Sequence, residues 1–177
     1  MTLLTDKTLV AELDVWKNTL DKGTPEAKAA LIRRMGKVQD PAVAQALLPY
    51  LSNENETVRM AVVPALVTAG NDLALEPLLD RLEMTPEEAE TEVLLTALKT
   101  MKGPQVTEAI ADRISDASPA TKIQLIGLLA SRAAEAQIGV VFEATADSNP
   151  EVKEAALSAL ADMASPGDLD KLVGLLR

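Results

Sequence analysis

The sequence has no cysteine and no histidine, and its only aromatic residues are Trp16, Tyr50 and Phe142. Without these two residue types the chain has no disulfide, and it lacks the commonest zinc ligands, the thiol nucleophile and the imidazole base. So few aromatic rings leave little for the stacking platforms on which single-stranded nucleic acids bind. These absences predict a chain with no metal site, no cofactor and no catalytic residues.

Basic residues are also scarce, with 17 lysines and arginines against 27 aspartates and glutamates, a net charge of -10. An acidic surface works against nucleic acid and against anionic membranes, because both need a basic footprint. No apolar run approaches the 18 residues of a membrane-spanning helix, and the N-terminus lacks the pattern of a signal peptide. We therefore expect neither nucleic-acid binding nor membrane insertion; the compartment stays open, with the cytoplasm slightly favoured.

What the sequence does contain is one repeated period of 31 or 32 residues. Three columns of apolar residues share it: Met35, Leu66, Leu98, Leu129 and Leu160; Leu47, Leu78, Ile110, Val141 and Leu172; and Leu51, Leu82, Ile114 and Leu176, interrupted by Thr145. A fixed period of this length indicates a repeat array, in which each unit buries its apolar face only against its neighbours.

Each repeat is predicted to contain two helices. In the last repeat Asn149 is a suitable N-cap, Pro150 suits the first helical position, and apolar residues follow at helical spacing as far as Met163. Thr24-Pro25 and Ser118-Pro119 open first helices in the same way. Prolines at helix starts argue against strands and against disorder.

The sequence thus predicts an all-α, right-handed α-α superhelix of about five helix pairs, preceded by an N-terminal capping helix. The predicted boundaries are 1–23 for the cap and 24–54, 55–86, 87–117, 118–148 and 149–177 for the repeats.

Two segments resemble a known repeat family: Asn149 to Leu160, and the stretch from Val58 to Leu82. Both are similar to the HEAT repeat, in the short class called phycobilisome-lyase-like, and the columns extend the resemblance over residues 24 to 177. This resemblance implies an α-solenoid and says little about function, because HEAT repeats serve as scaffolds, adaptors, lyases and a few enzymes. HEAT-class DNA glycosylases need a basic concave face and HEAT-class hydroxylases need histidine ligands, so neither activity is expected here.

The resemblance also implies a polar ladder, in which a residue that closes one repeat contacts a basic residue opening the next. Asn53 with Arg59, Asp116 with Lys122 and Asp147 with Lys153 fit this pattern. At the joint between the second and third repeats the two positions hold Thr85 and Thr91, so packing alone is expected to hold that joint.

The strongest candidate for a binding surface is a row of acidic residues on the second helices. Glu76 and Asp80 lie four residues apart on one helical face, and Glu108 and Asp112 repeat them 32 residues later. Such helices usually line the concave side of an array, so the row would form a strip for a basic peptide or protein. The alternative is a solvated face that keeps the array soluble. Catalysis by these carboxylates would need a pocket that separates their pKa values, and nothing indicates one.

Three further residues complete the predicted binding set. Glu143 continues the acidic row, and Arg81 and Arg113 flank it and would partly neutralise it. Tyr50 lies on the polar side of its helix, where it could anchor a partner or shield the first repeat.

The sequence therefore predicts a non-catalytic protein-interaction or scaffold module whose partner is a protein or peptide, potentially a basic one. The alternative is an accessory or spacer domain of a larger, potentially enzymatic, polypeptide. The last helix favours that alternative, because apolar residues lie on more than one side of it, which also predicts self-association or a flanking domain there. The partner's identity and the oligomeric state do not follow from the sequence.

Overall fold

The computed structural model describes residues 13–84 and 86–174. The first half of the predicted cap, Thr85 of the predicted ladder, and Leu176 of the third column lie outside these ranges. The described residues form α-helices and short 3-10 helices, with no strand among them. The predicted all-α class is therefore confirmed.

Eleven α-helices are present in the described ranges. They are α1 (Leu13–Lys22), α2 (Pro25–Met35), α3 (Pro41–Leu47), α4 (Glu56–Ala69), α5 (Asn71–Glu83), α6 (Glu88–Thr100), α7 (Pro104–Ile114), α8 (Pro119–Ser131), α9 (Ile138–Ala144), α10 (Pro150–Met163) and α11 (Leu169–Gly174). Short 3-10 helices follow α3 (Leu48–Ser52) and precede α9 (Glu135–Gln137) and α11 (Pro166–Asp168).

Polar side chains fix the starts of several helices, as the sequence predicts. The side chain of Asn149 accepts hydrogen bonds from the backbone N–H groups of Glu151 (2.8 Å) and Val152 (3.3 Å). Ser118 and Asp40 cap α8 and α3 in the same way, and a proline follows each cap. These caps satisfy N–H groups that the first turn of a helix leaves without a partner.

Proline positions explain one departure from regular geometry and correct one prediction. Helix α3 changes to a 3-10 helix at Leu48, next to Pro49, which cannot donate the next α-helical hydrogen bond. The sequence predicts Pro77 in the first turn of its helix, but that prediction is wrong. Helix α5 begins at Asn71, which places Pro77 in the interior.

The chain divides into two compact units, Met1–Lys102 and Gly103–Arg177. In the first unit the first helices α2, α4 and α6 pack side by side, and α3 and α5 are the neighbouring second helices. The described part of the cap, α1, packs against α2 and α3 and buries Leu20 completely. In the second unit α8 packs against α10, with α7 and α9 beside them.

The apolar columns form the core of both units. Met35, Leu66 and Leu98 are fully buried in the first unit, and Leu129 and Leu160 are buried in the second. The second and third columns are buried as far as Val141 and Ile114, whereas Leu172 and Thr145 are only half-buried. Burying one leucine side chain contributes about 1.5–3 kcal/mol, so these columns supply much of the driving force for stacking.

Glycine residues show where the helices approach most closely. Gly36 ends α2 so close to Ala65 of α4 that a Cβ atom at position 36 would overlap the Cα and Cβ of Ala65. Gly127, in contrast, is exposed in the middle of α8, and a Cβ there would meet no atom within 4 Å. Gly36 therefore permits the close packing of α2 against α4, whereas Gly127 only weakens α8.

We expect Gly127→Ala to stabilise the chain by about 0.5–1 kcal/mol, because alanine restricts the unfolded chain and favours the helix. Gly36→Ala should destabilise it by about 1–3 kcal/mol through overpacking against Ala65. Urea unfolding followed by circular dichroism at 222 nm measures both. A midpoint that moves the same way in both variants would contradict this assignment.

Candidate functional site

The predicted binding residues of the first unit lie on α5 and on the 3-10 helix that follows α3. Glu76 and Asp80 are exposed on α5, as residues four apart on one helical face should be. Arg81 is half-buried, and its guanidinium group binds the carboxylate of Glu90. Tyr50 is half-buried at the end of the first repeat.

In the second unit the predicted acidic residues are also on the surface. Glu108 and Asp112 are exposed on α7, and Glu143 is exposed on α9. Arg113 is half-buried beside them. Three carboxylates are therefore exposed on the second helices of this unit. The predicted alignment with Glu76 and Asp80 stays a prediction.

Arg81 belongs to a buried ion cluster that the sequence did not predict. Its Nε donates to Oε1 of Glu90 at 2.7 Å, and its Nη2 donates to Oε2 at 3.0 Å. From the other side the Nη2 of Arg59 donates to Oε2 of Glu90 at 2.8 Å, and its Nε contacts both oxygens. The carboxylate of Glu90 is therefore held between two guanidinium groups.

Glu90 is completely buried, and the side chains of Arg59 and Arg81 are only 14% and 20% exposed. The Nη1 of Arg59 also donates to the backbone oxygens of Asn53 (2.8 Å) and Glu54 (3.0 Å), which confirms the predicted contact between Asn53 and Arg59. The cluster thus ties α4, α5 and α6 to the loop before α4. A charged side chain that is buried this completely is stable only when hydrogen bonds and opposite charges compensate it fully.

Two opposing effects set the pKa of Glu90. Burial raises it, because a low-dielectric interior disfavours the charged form, but the hydrogen bonds from Arg81 and Arg59 lower it by more. The net result is a pKa below the ordinary value of a glutamate. Glu90 is therefore a carboxylate at neutral pH and acts as a structural counter-ion.

The expectation that packing alone holds the joint between the second and third repeats is wrong. The acidic partner there is Glu90, one residue before Thr91, rather than a residue at either predicted ladder position. A signal was present in the sequence, because Glu90 follows Arg59 by 31 residues, one full period. The ladder pattern joins residues six apart and therefore does not predict this pair.

In the second unit the basic residue of the ladder contacts an acidic residue that follows it in the chain. Lys122 of α8 forms an ion pair with Asp147 at 2.8 Å instead of the predicted pair with Asp116. Hydrogen bonds from Lys122 and from the backbone of Asn149 lower the pKa of Asp147, with a smaller electrostatic contribution from Lys153. Arg59 and Lys122 thus both reach forward, towards the start of the next repeat.

Tyr50 is held in a fixed position by the cap helix. Its hydroxyl donates to Oδ1 of Asp21 at 2.7 Å, across the junction between α1 and the first repeat. Burial, followed by this hydrogen bond and the charge of Asp21, raises the pKa of Tyr50 to about 12. The ring is therefore fixed before any partner arrives.

Tyr50 lines a groove of about 950 Å³ in the first unit. Its walls come from α1, the start of α2, the second helix of the first repeat and the loop before α4. The polar or charged lining residues are Lys17, Asp21, Lys28, Gln45, Tyr50, Ser52, Asn53, Glu54 and Asn55. The groove thus combines apolar surface with lysine and carboxylate side chains on its walls.

The described residues contain no group of three or more acidic side chains that could hold a metal ion. No helix among them has the length and apolar character needed to cross a membrane.

A sequence profile of HEAT repeats matches residues 13–99 and 107–177. The match covers most of the chain, and the chain belongs to the HEAT repeat family. The resemblance seen in the sequence is thereby confirmed. Among curated proteins, none matches this sequence.

One solved structure with a related arrangement is that of human deoxyhypusine hydroxylase in complex with glycerol. The match has 18% sequence identity and a TM-score of 0.42, and it covers 96% of this chain and 81% of that chain. A likeness this distant carries no activity from that enzyme to this chain.

We expect Glu90→Gln to destabilise the chain by about 3 kcal/mol at pH 7, because two buried arginines would lose their counter-ion. Glu92→Gln is the matched control, since Glu92 is exposed two residues further along the same helix, and it should change stability by less than about 0.5 kcal/mol. Urea unfolding of both variants makes the comparison.

The cost of Glu90→Gln should also depend on pH. Because folding lowers the pKa of Glu90, its contribution is complete above the unfolded value of about 4.3 and is lost as the pH falls below it. The stability gap between wild type and Glu90→Gln should therefore shrink between pH 5 and pH 3. An unchanged gap over that range would contradict the proposed ion cluster.

Tyr50 is the only tyrosine of the chain, so its ionisation can be followed directly by ultraviolet absorbance. We expect a pKa of about 12 in the folded protein and a lower value in Asp21→Asn, which keeps the effect of burial but loses the hydrogen bond and the charge of Asp21. Circular dichroism must show that the fold persists over the titration. Equal values in the two proteins would exclude the hydrogen bond as a cause.

Proposed function

We propose that the chain is a protein-interaction module, without catalytic activity of its own, that binds a partner protein or peptide on the surface of its second helices. The observation that carries the proposal is the groove around Tyr50. It is about 950 Å³ in volume, and its aromatic side chain is already fixed by Asp21. A preformed site loses little conformational entropy on binding, and tyrosine is a frequent source of binding energy at interfaces.

The chemistry of the groove supports recognition of a polar, extended chain. Lys17 and Lys28 can meet carboxylates or backbone carbonyls, and Glu54 can meet amide or ammonium groups. The ring of Tyr50 offers an apolar surface between them. A peptide presents all three kinds of group within a few residues.

The second unit supports a basic partner. Glu108, Asp112 and Glu143 are exposed, and a strip of carboxylates attracts lysine and arginine side chains with a strength that falls with salt. The same exposure supports the absence of acid–base catalysis, because catalytic carboxylates owe their function to shifted pKa values in enclosed sites.

Selection from a displayed random peptide library against the immobilised chain tests the proposal. Affinities of the selected peptides are then measured by calorimetry with wild type, Tyr50→Ala and Tyr50→Phe. We expect Tyr50→Ala to weaken binding about tenfold or more, which is typical for the loss of an aromatic anchor, and Tyr50→Phe to weaken it less.

A pair of double variants in the second unit tests the acidic strip. Glu108→Lys with Asp112→Lys reverses two charges on α7, and Glu151→Lys with Glu154→Lys reverses two exposed charges on the first helix α10. Only the substitutions on α7 should weaken the binding of basic peptides and reduce the salt dependence of that binding. If the selected peptides bind all these variants equally, the second helices are not the binding surface.

A further inference from the structure

A second groove lies on the first helices α4 and α6 of the first unit. Arg59 and Glu90 bridge the N-terminal turns of these two helices, at 2.8 Å. Beyond that bridge the helices leave a groove of about 320 Å³. Its lining residues are Pro64, Val67, Thr68, Glu92, Val93, Thr96, Ala97 and Thr100.

The groove is apolar even though three threonines line it. The hydroxyl of Thr68 donates to the backbone oxygen of Pro64 at 3.1 Å, and the hydroxyl of Thr100 donates to that of Ala97 at 2.9 Å. Because these hydroxyls are bound to their own helices, the side chains can offer methyl groups to an occupant. Val67 and Val93 add half-buried apolar surface from opposite walls.

Size and charge together define the occupant. A volume of about 320 Å³ is near the lower end of ligand pockets, which suits one large side chain rather than a whole helix. Glu92 is the only charged residue of the lining, and its side chain is exposed. A cationic group next to the inserted side chain would therefore meet a carboxylate.

We infer that this groove binds one large apolar side chain of a partner peptide in which an adjacent residue is lysine or arginine. The site is separate from the groove around Tyr50, because first-helix residues alone line it. Its occupancy does not depend on the function proposed for the second helices.

Two capped tripeptides are the probes: glycine–phenylalanine–arginine and glycine–phenylalanine–glutamate. Each is titrated into the full chain while the methyl resonances of Val67 and Val93 are followed by NMR. We expect both resonances to shift, and the arginine peptide to bind about threefold or more tightly, because Glu92 attracts one peptide and repels the other.

Two variants and a control decide the outcome. Glu92→Lys should reverse the preference between the peptides, and Thr96→Trp should abolish the shifts by filling the groove. Glu154→Lys makes the same charge change at the equivalent position of the last repeat, 62 residues later, and should leave the preference unchanged.

The inference is overturned if neither peptide shifts the two valines, or if the preference persists in Glu92→Lys. Because Glu92 is exposed, that variant should fold even where Thr96→Trp does not. Shifts that follow protein concentration alone would identify a second copy of the chain as the occupant, and they would also overturn the inference.

Discussion

The fold depends on one constraint: within each unit, the apolar face of a first helix is buried by the helices beside it, including the first helix of a neighbouring repeat. Leu66 of α4 is fully buried because α2 and α6 cover it from both sides, and Met35 and Leu98 lie in the same column. Close approach is part of the same constraint, since Gly36 allows the end of α2 to reach the backbone of α4 at Ala65. Nearest-neighbour packing of this kind explains why a period of 31 or 32 residues in the sequence is sufficient to specify the architecture.

Apolar packing alone does not fix the register of two stacked helices, and Glu90 adds a directional interaction in the first unit. Its two oxygens accept hydrogen bonds from Arg59 on α4 and from Arg81 on α5, so a shift of α6 by one turn would leave a buried charge without partners. In the second unit the pair of Lys122 and Asp147 is more exposed and contributes less. The first unit therefore contains the more specific of the two joints.

The sequence predicts the elements of regular period well and the irregular ones poorly. Helix α10 has the predicted bounds, because Asn149 caps it and apolar residues follow at helical spacing. Glu90 was missed because its side chain appears in the sequence as one more acid of an acidic helix. Only the folded chain brings Arg59 and Arg81 to it from two other helices. The groove around Tyr50 could not be predicted either, since it depends on how the cap helix meets the first repeat.

Arg81 was expected at the binding surface, but it contributes to the interior of the first unit. The sequence places Arg81 next to Asp80, as a residue that would partly neutralise a binding strip, whereas its Nε and Nη2 are bound to Glu90 inside the unit. A side chain committed to a buried carboxylate cannot also reorganise around a partner without exposing that carboxylate. The proposed partner binding therefore draws on other side chains at the surface: the ring of Tyr50, whose hydroxyl is bound to Asp21, and the exposed carboxylates of Glu108 and Asp112.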